Sequence, residues 1–151
     1  MTRVREASAA DDAFVAALVP RFVEHGAADG HTHDEVIDGT RRVLRDALRA
    51  PDTADVFLIA EDDAGEPLGF VYAVTERDFF TGEPYLHVSE LATARSGDGV
   101  GALLMAAAEA RARERGYRFV TLNVVHENAA ARRFYERRGY AIGHHHFVKR
   151  F

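Results

Sequence analysis

Apolar positions along the chain change their period from one stretch to the next, and each period predicts an element. "RVRE" (3–6) has the short alternation of a strand, and residues from about 10 to 20 take helical spacing. After the polar loop "EHGAADGH" comes Thr32-x-x-Glu35, a capping box in which each side chain can answer the other residue's backbone N–H. Val36, Val43, Leu44, Ala47 and Leu48 keep helical spacing behind it until Pro51, which cannot continue a helix. "ADVFLIAED" (54–62) reads as a buried strand and "DDAGEP" as a turn. "LGFVYAVTE" (68–76) is apolar on both faces, which places it in the centre of a sheet. The turn "RDFFTGEP" leads into another strand, "YLHVSELAT" (85–93).

A glycine-rich turn then opens a helix from about 99 to 115. Val100, Leu103, Leu104, Ala107 and Ala108 form its apolar stripe, and Gly116 sits where a C′ glycine belongs. "RFVTLNVV" (118–125) predicts a strand and "NAAARRFYERR" (128–138) a helix with Asn128 as its N-cap. The tail from Tyr140 to Phe151 predicts a final hairpin or strand. With no repeat, low-complexity tract or linker, residues 1–151 read as a single α/β domain.

Composition narrows the function classes. The chain has 151 residues, 47 % apolar and 28 % charged, a globular balance with enough length for one core. No apolar run approaches a membrane span and the N-terminus lacks an apolar leader segment, so the expectation is a cytoplasmic protein without a membrane partner. The absence of cysteine excludes disulfides, thiolate metal sites and a cysteine nucleophile. The net charge of −5 hides an asymmetry: residues 1–98 carry 20 acids and 9 bases, residues 99–151 carry 4 acids and 10 bases. Either these are solvated faces, or the C-terminal half receives an anion and the N-terminal half a cation. The basic residues lack interleaved aromatics and a recognition motif, so no nucleic-acid partner is expected.

Chemistry concentrates in "ATARSGDGVGALLM" (92–105). Gly97-Asp98-Gly99-Val100-Gly101-Ala102 formally matches a dinucleotide fingerprint, but it follows a fourth strand rather than a first, and the Walker lysine is missing. A turn used only to enter a helix would look the same. More specific is the order of three pieces: a strand ending "SELAT" before the glycine turn, the strand "TLNVV", and Asn128-x2-Ala131-x3-Tyr135-x3-Gly139-Tyr140. In that order the chain resembles the GCN5-related N-acetyltransferase (GNAT) family, closely over 85–142 and loosely elsewhere.

The resemblance implies an acyl-CoA N-acyltransferase fold: a mixed, mostly antiparallel sheet with helices on both faces and a splayed central cleft between strands 85–93 and 118–125. It implies acetyl-CoA as co-substrate, no metal, and a primary amine as acceptor, either a small cationic amine or a protein or peptide amine. The pantetheine arm would pair with backbone at Leu91, Ala92 and Thr93. The pyrophosphate would lie on the N–H groups of Ser96, Gly97, Asp98, Gly99, Val100, Gly101 and Ala102, at a helix N-terminus that favours anions. Asn128 and Ala131 would border the pantetheine, Glu90 would act as general base and Tyr135 would protonate the departing thiolate. Family members often pair, which leaves a homodimer open.

For several of these residues a plain structural role remains open beside the functional one. Tyr135 is equally a core tyrosine beside Phe134, Asn128 a simple cap, and Glu90 a solvated carboxylate. Strict alternation puts His87 and Ser89 on the face opposite Glu90, a bulge would change that, and His87 is the reserve base. The turn departs from the family pattern. Ser96 stands where Arg or Gln is usual, and Asp98 stands where a base is common. That carboxylate is tolerable if it points to water, and Arg95 is the candidate replacement cation. His31 and His33 are expected to line the acceptor pocket. His144–His146 cannot converge on one ion from a strand, and no metal is expected. The acidic turns "EDDAGE" and "ERDFFTGE" are expected to draw a cationic amine to the cleft. A non-catalytic acyl-CoA-binding or regulatory domain is the rival reading, and a dinucleotide-dependent oxidoreductase a distant third.

Overall fold

β3 (Pro67–Arg77) occupies the middle of a five-stranded sheet of order β1-β2-β3-β4-β5, as a strand apolar on both faces must. The computed structural model describes residues 1–151. β1 (Arg3–Glu6), β2 (Val56–Glu61), β3 and β4 (Pro84–Thr93) are antiparallel to their neighbours, and β5 (Val120–Leu122) joins β4 in parallel. The sheet is therefore mixed and mostly antiparallel, and helices cover both faces.

Alternation along the strands sorts the apolar side chains into two cores. On one face Leu58, Val71, Ala73, Leu86 and Val88 pack against Val100, Leu104, Met105 and Ala108 of α3 (Val100–Glu114), with Phe134 and Tyr135 of α4 (Ala129–Arg137) alongside. On the other, Ile59, Phe70, Tyr72 and Ala92 pack against Val15 and Leu18 of α1 (Asp12–Leu18) and Leu44 and Leu48 of α2 (His33–Arg49). A 3₁₀ segment, Val19–Val23, continues α1. The Thr32–Glu35 capping box forms as the sequence predicts: Glu35 N–H donates to Thr32 Oγ1 at 3.2 Å and Thr32 N–H to Glu35 Oε2 at 2.8 Å. α3 lies close on the sheet at Gly69, where a Cβ would stand 2.8 Å from the Ala92 carbonyl oxygen and 3.1 Å from Val100. At the sheet edge, Arg5 bridges two buried carboxylates, Glu61 (2.6 Å) and Asp11 (2.8 Å), and ties β1 to β2 and to the start of α1.

The cleft arises where β5 stops. β5 pairs with β4 only through Leu86–Val120, His87–Thr121 and Val88–Leu122, whereas β4 runs on to Thr93. β5 thus has three residues instead of the eight expected over 118–125: Arg118 and Phe119 precede the ladder, and Asn123–Val125 follow it without pairing to β4. The predicted final hairpin or strand does not form; residues 141–151 are exposed and make no sheet bonds, although the outer edge of β5 is free. Val43 and Leu103 are exposed, each one position off a buried i, i+4 row and so turned by about 100° around the helix.

Candidate active site

β4 carries one extra residue. Tyr72 lies opposite Glu90 and Ala73 opposite Val88, which leaves Ser89 as a bulge. Before it, Leu86 and Val88 face α3 and His87 faces α1 and α2; after it, Leu91 faces α3 and Glu90 turns toward α1 and α2. His87 and Glu90 therefore share a face, contrary to strict alternation. The bulge also settles which backbone groups are free. Ala94 N–H donates to the Leu68 carbonyl at 2.8 Å, so alternate residues Ala92 and Glu90 hydrogen-bond toward β3, and the amides of Leu91 and Thr93 point to the side that β5 leaves open.

Glu90 lies largely inside the protein, and its carboxyl is pushed from 4.5 up to about 7 by burial alone; no donor or cation answers it. His87 is not similarly free: its Nδ1 is 2.7 Å from Thr121 Oγ1 and joins β4 to β5 at the last paired rungs.

At the end of β4 the turn 94–99 is exposed and delivers the chain into α3 through Gly99, whose φ of 81° suits glycine. No side chain caps α3 from its N-cap position. Asp98 does not simply point to water: its Oδ1 accepts the Val100 N–H at 3.1 Å, and so orders the turn. The first bond along the helix is Leu103 N–H to Gly99 O at 3.0 Å, so the N–H groups of Gly101 and Ala102 remain for an anion. Gly101 has no packing reason to be glycine, because a Cβ would meet only ordinary contacts at 3.6 Å or more. Arg95, exposed, forms no side-chain bond, whereas Arg21 of the 3₁₀ segment reaches the turn: it donates to the Thr93 carbonyl and, at 3.4 Å, to Ser96 Oγ. Nothing in the local sequence signals this contact.

On the other wall, Asn128 caps α4, its Oδ1 accepting from Ala131 N–H at 3.0 Å; its amide NH2 is left over, and Ala131 presents only a methyl. Tyr135 stacks edge-on to Phe134 (5.0 Å) and Tyr140 (5.7 Å), and no group in the chain accepts from its hydroxyl. Its phenol is pushed up to about 12, first by burial and second by Glu90, so it stays protonated and lies within electrostatic reach of that carboxyl.

The acidic turns behave differently from expectation. The 62–66 turn lies at the Thr93 end of the sheet and the 78–83 turn at the opposite end. Asp62 and Asp78 spend their carboxylates on turn N–H groups, and Glu83 pairs with Arg118 at 2.7 Å. At the start of α2, His31, Asp34, Glu35, Asp38, Gly39 and Arg42 line a shallow depression, with Asp34 and Asp38 unpaired and Glu35 engaged in the capping box. His33, beside it, is exposed.

The sequence profile of the Acetyltransferase (GNAT) family matches residues 21–140. Similar solved structures include a transcriptional regulator from Bacillus halodurans C-125 (20 % identity, all of both chains covered, TM-score 0.74). A ribosomal-protein-alanine N-acetyltransferase from Brucella melitensis is comparable (20 %, all of both chains, 0.73). So is an aminoglycoside N-acetyltransferase in complex with CoA (17 % identity, 100 % of this chain and 95 % of that one, 0.72). No curated protein matches this chain.

Proposed function

The chain belongs to the acetyltransferase (GNAT) family, and from that premise we propose that it transfers an acetyl group from acetyl-CoA to a primary amine. The observation that carries this reading is the unpaired edge of β4 running straight into the open N-terminus of α3. Pantetheine amides can pair with Leu91 and Thr93, and the diphosphate can then rest on the N–H groups of Gly101 and Ala102. The side chain missing from Gly101 leaves room for that approach, at a helical position where glycine costs about 1 kcal/mol relative to alanine.

Chemistry follows from the two walls. With both substrates held in the cleft, the amine nitrogen attacks the thioester carbon directly, the C–N bond forms and the C–S bond breaks. Glu90, whose carboxyl titrates near neutrality, takes the proton the amine must lose. Tyr135, protonated at neutral pH, gives its proton to the leaving thiolate. The proteins of similar fold acetylate acceptors as different as a protein alanine and an aminoglycoside. For this chain we place a cationic small amine or a peptide amine on the α1–α2 side of the sheet, the side to which Glu90 turns.

Asp98 gives the non-catalytic reading its one support, because its carboxylate occupies a helix N-terminal donor. Calorimetry with acetyl-CoA tests binding first. A dissociation constant in the micromolar to millimolar range supports the reading, and no heat at saturating ligand refutes it.

A further inference from the structure

The turn that should hold a diphosphate has Arg95 and Asp98 as its only charged side chains, and the exposed Arg95 side chain makes no hydrogen bond, although its carbonyl accepts from Thr93 Oγ1 at 2.8 Å. Arg21 reaches the same place from 75 residues away, with one terminal nitrogen on the Thr93 carbonyl and the other 3.4 Å from Ser96 Oγ. Glu24, one turn on, is a partly exposed ion-pair partner 3.6 Å from its Nε. Ser96 stands where the resemblance to the GNAT family implies Arg or Gln, and the guanidinium absent from that position is brought to it through space. A guanidinium has five N–H donors; each terminal nitrogen here uses one and keeps one. Thr93 ends β4 and Ser96 lies within the turn that follows, so those two remaining donors stand where a pantetheine arm would become a diphosphate.

We propose that Arg21 is the diphosphate-binding cation of this protein, and that it makes the cleft prefer the phosphorylated cofactor over pantetheine alone. The inference rests on the acyl-CoA reading above. Its physical basis is pre-organisation: two hydrogen bonds, to the Thr93 carbonyl and to Ser96 Oγ, hold the fork before any ligand arrives, so less side-chain freedom is lost when phosphate oxygens accept from it. A flexible Arg95 would have to be ordered at binding.

The test titrates the full chain with CoA, 3′-dephospho-CoA and pantetheine, the last read by competition against CoA. In Arg21→Gln, CoA and dephospho-CoA should both weaken by about 10-fold or more, the range of a charge-assisted hydrogen bond, while pantetheine is little changed. Arg21→Met, which keeps the aliphatic stem, should show the same pattern, and thermal unfolding of both variants checks that the fold is intact. Equal weakening of all three ligands would overturn the proposal and leave Arg21 as a brace for the end of β4. Weakening of CoA alone would move the contact to the 3′-phosphate and overturn it too, as would unchanged affinities. Wild-type protein that binds none of the ligands refutes the acyl-CoA reading itself, a result distinct from each of these.

Discussion

Replacing Glu90 by glutamine separates what the site costs from what it does. The native carboxyl titrates at about 7, against 4.5 for an ordinary glutamate, because burial disfavours its charge and no partner offsets that. Between those two pH values the folded chain holds a proton that the unfolded chain has released. Folding stability therefore falls as pH rises from about 4.5 to 7 and is level above. The gap corresponds to about 2–3 kcal/mol once the partial exposure of Glu90 is allowed for. Glutamine has the same shape and no charge, so it escapes this loss. Urea unfolding of both proteins at pH 5, 6, 7 and 8 should show Glu90→Gln gaining on the wild type by that amount and reaching a plateau near pH 8. The same variant should lose turnover by about 100-fold or more, and with it the acidic limb near pH 7 in the rate profile. Stability curves that run parallel across this range would refute the burial argument.

Tyr135→Phe keeps the ring contacts with Phe134 and Tyr140 and removes only the hydroxyl, so turnover should fall about 10–100-fold with CoA affinity unchanged; unchanged turnover would return Tyr135 to the core. Asp98→Asn keeps an oxygen to cap Val100 and removes the charge beside the anion site, and calorimetry should find CoA bound tighter by about 0.5–1 kcal/mol. Asp98→Arg loses the cap and should gain less. Gly69→Ala forces a methyl against the Ala92 carbonyl and α3, and chemical denaturation should register a loss of about 1–3 kcal/mol.

Much of this architecture was legible because local signals and tertiary demands agree. The two-faced apolar run at 68–76 became the central strand, and the Thr32 capping box began α2 where expected. The glycine turn opens α3 and Asn128 opens α4 as expected, because each start needs a residue type at a set place in the chain. What was illegible depends on partners distant in sequence. The Ser89 bulge follows from register against β3, and it alone puts His87 on the Glu90 face. The Arg21 contact joins residues whose separation no periodicity encodes. Apolar content over 118–125 and 140–151 could not reveal that β5 leaves β4 after three rungs or that the tail forms no strand. The acidic turns were read as a field for substrate, yet their carboxylates serve turn N–H groups and an arginine, uses that composition cannot distinguish.

Thiol release tests the central claim most directly. Acetyl-CoA is incubated with a panel of polyamines, aminoglycosides, amino acids and peptide amines, and the freed CoA is followed with a thiol reagent; the chain has no cysteine to contribute background. The account predicts enzyme-dependent release of one CoA per acetylated amine for at least one cationic or peptide acceptor, with a rate that rises through pH 7 and collapses in Glu90→Gln. Tight binding of acetyl-CoA with no release across the panel, or release that Glu90→Gln leaves untouched, would contradict it.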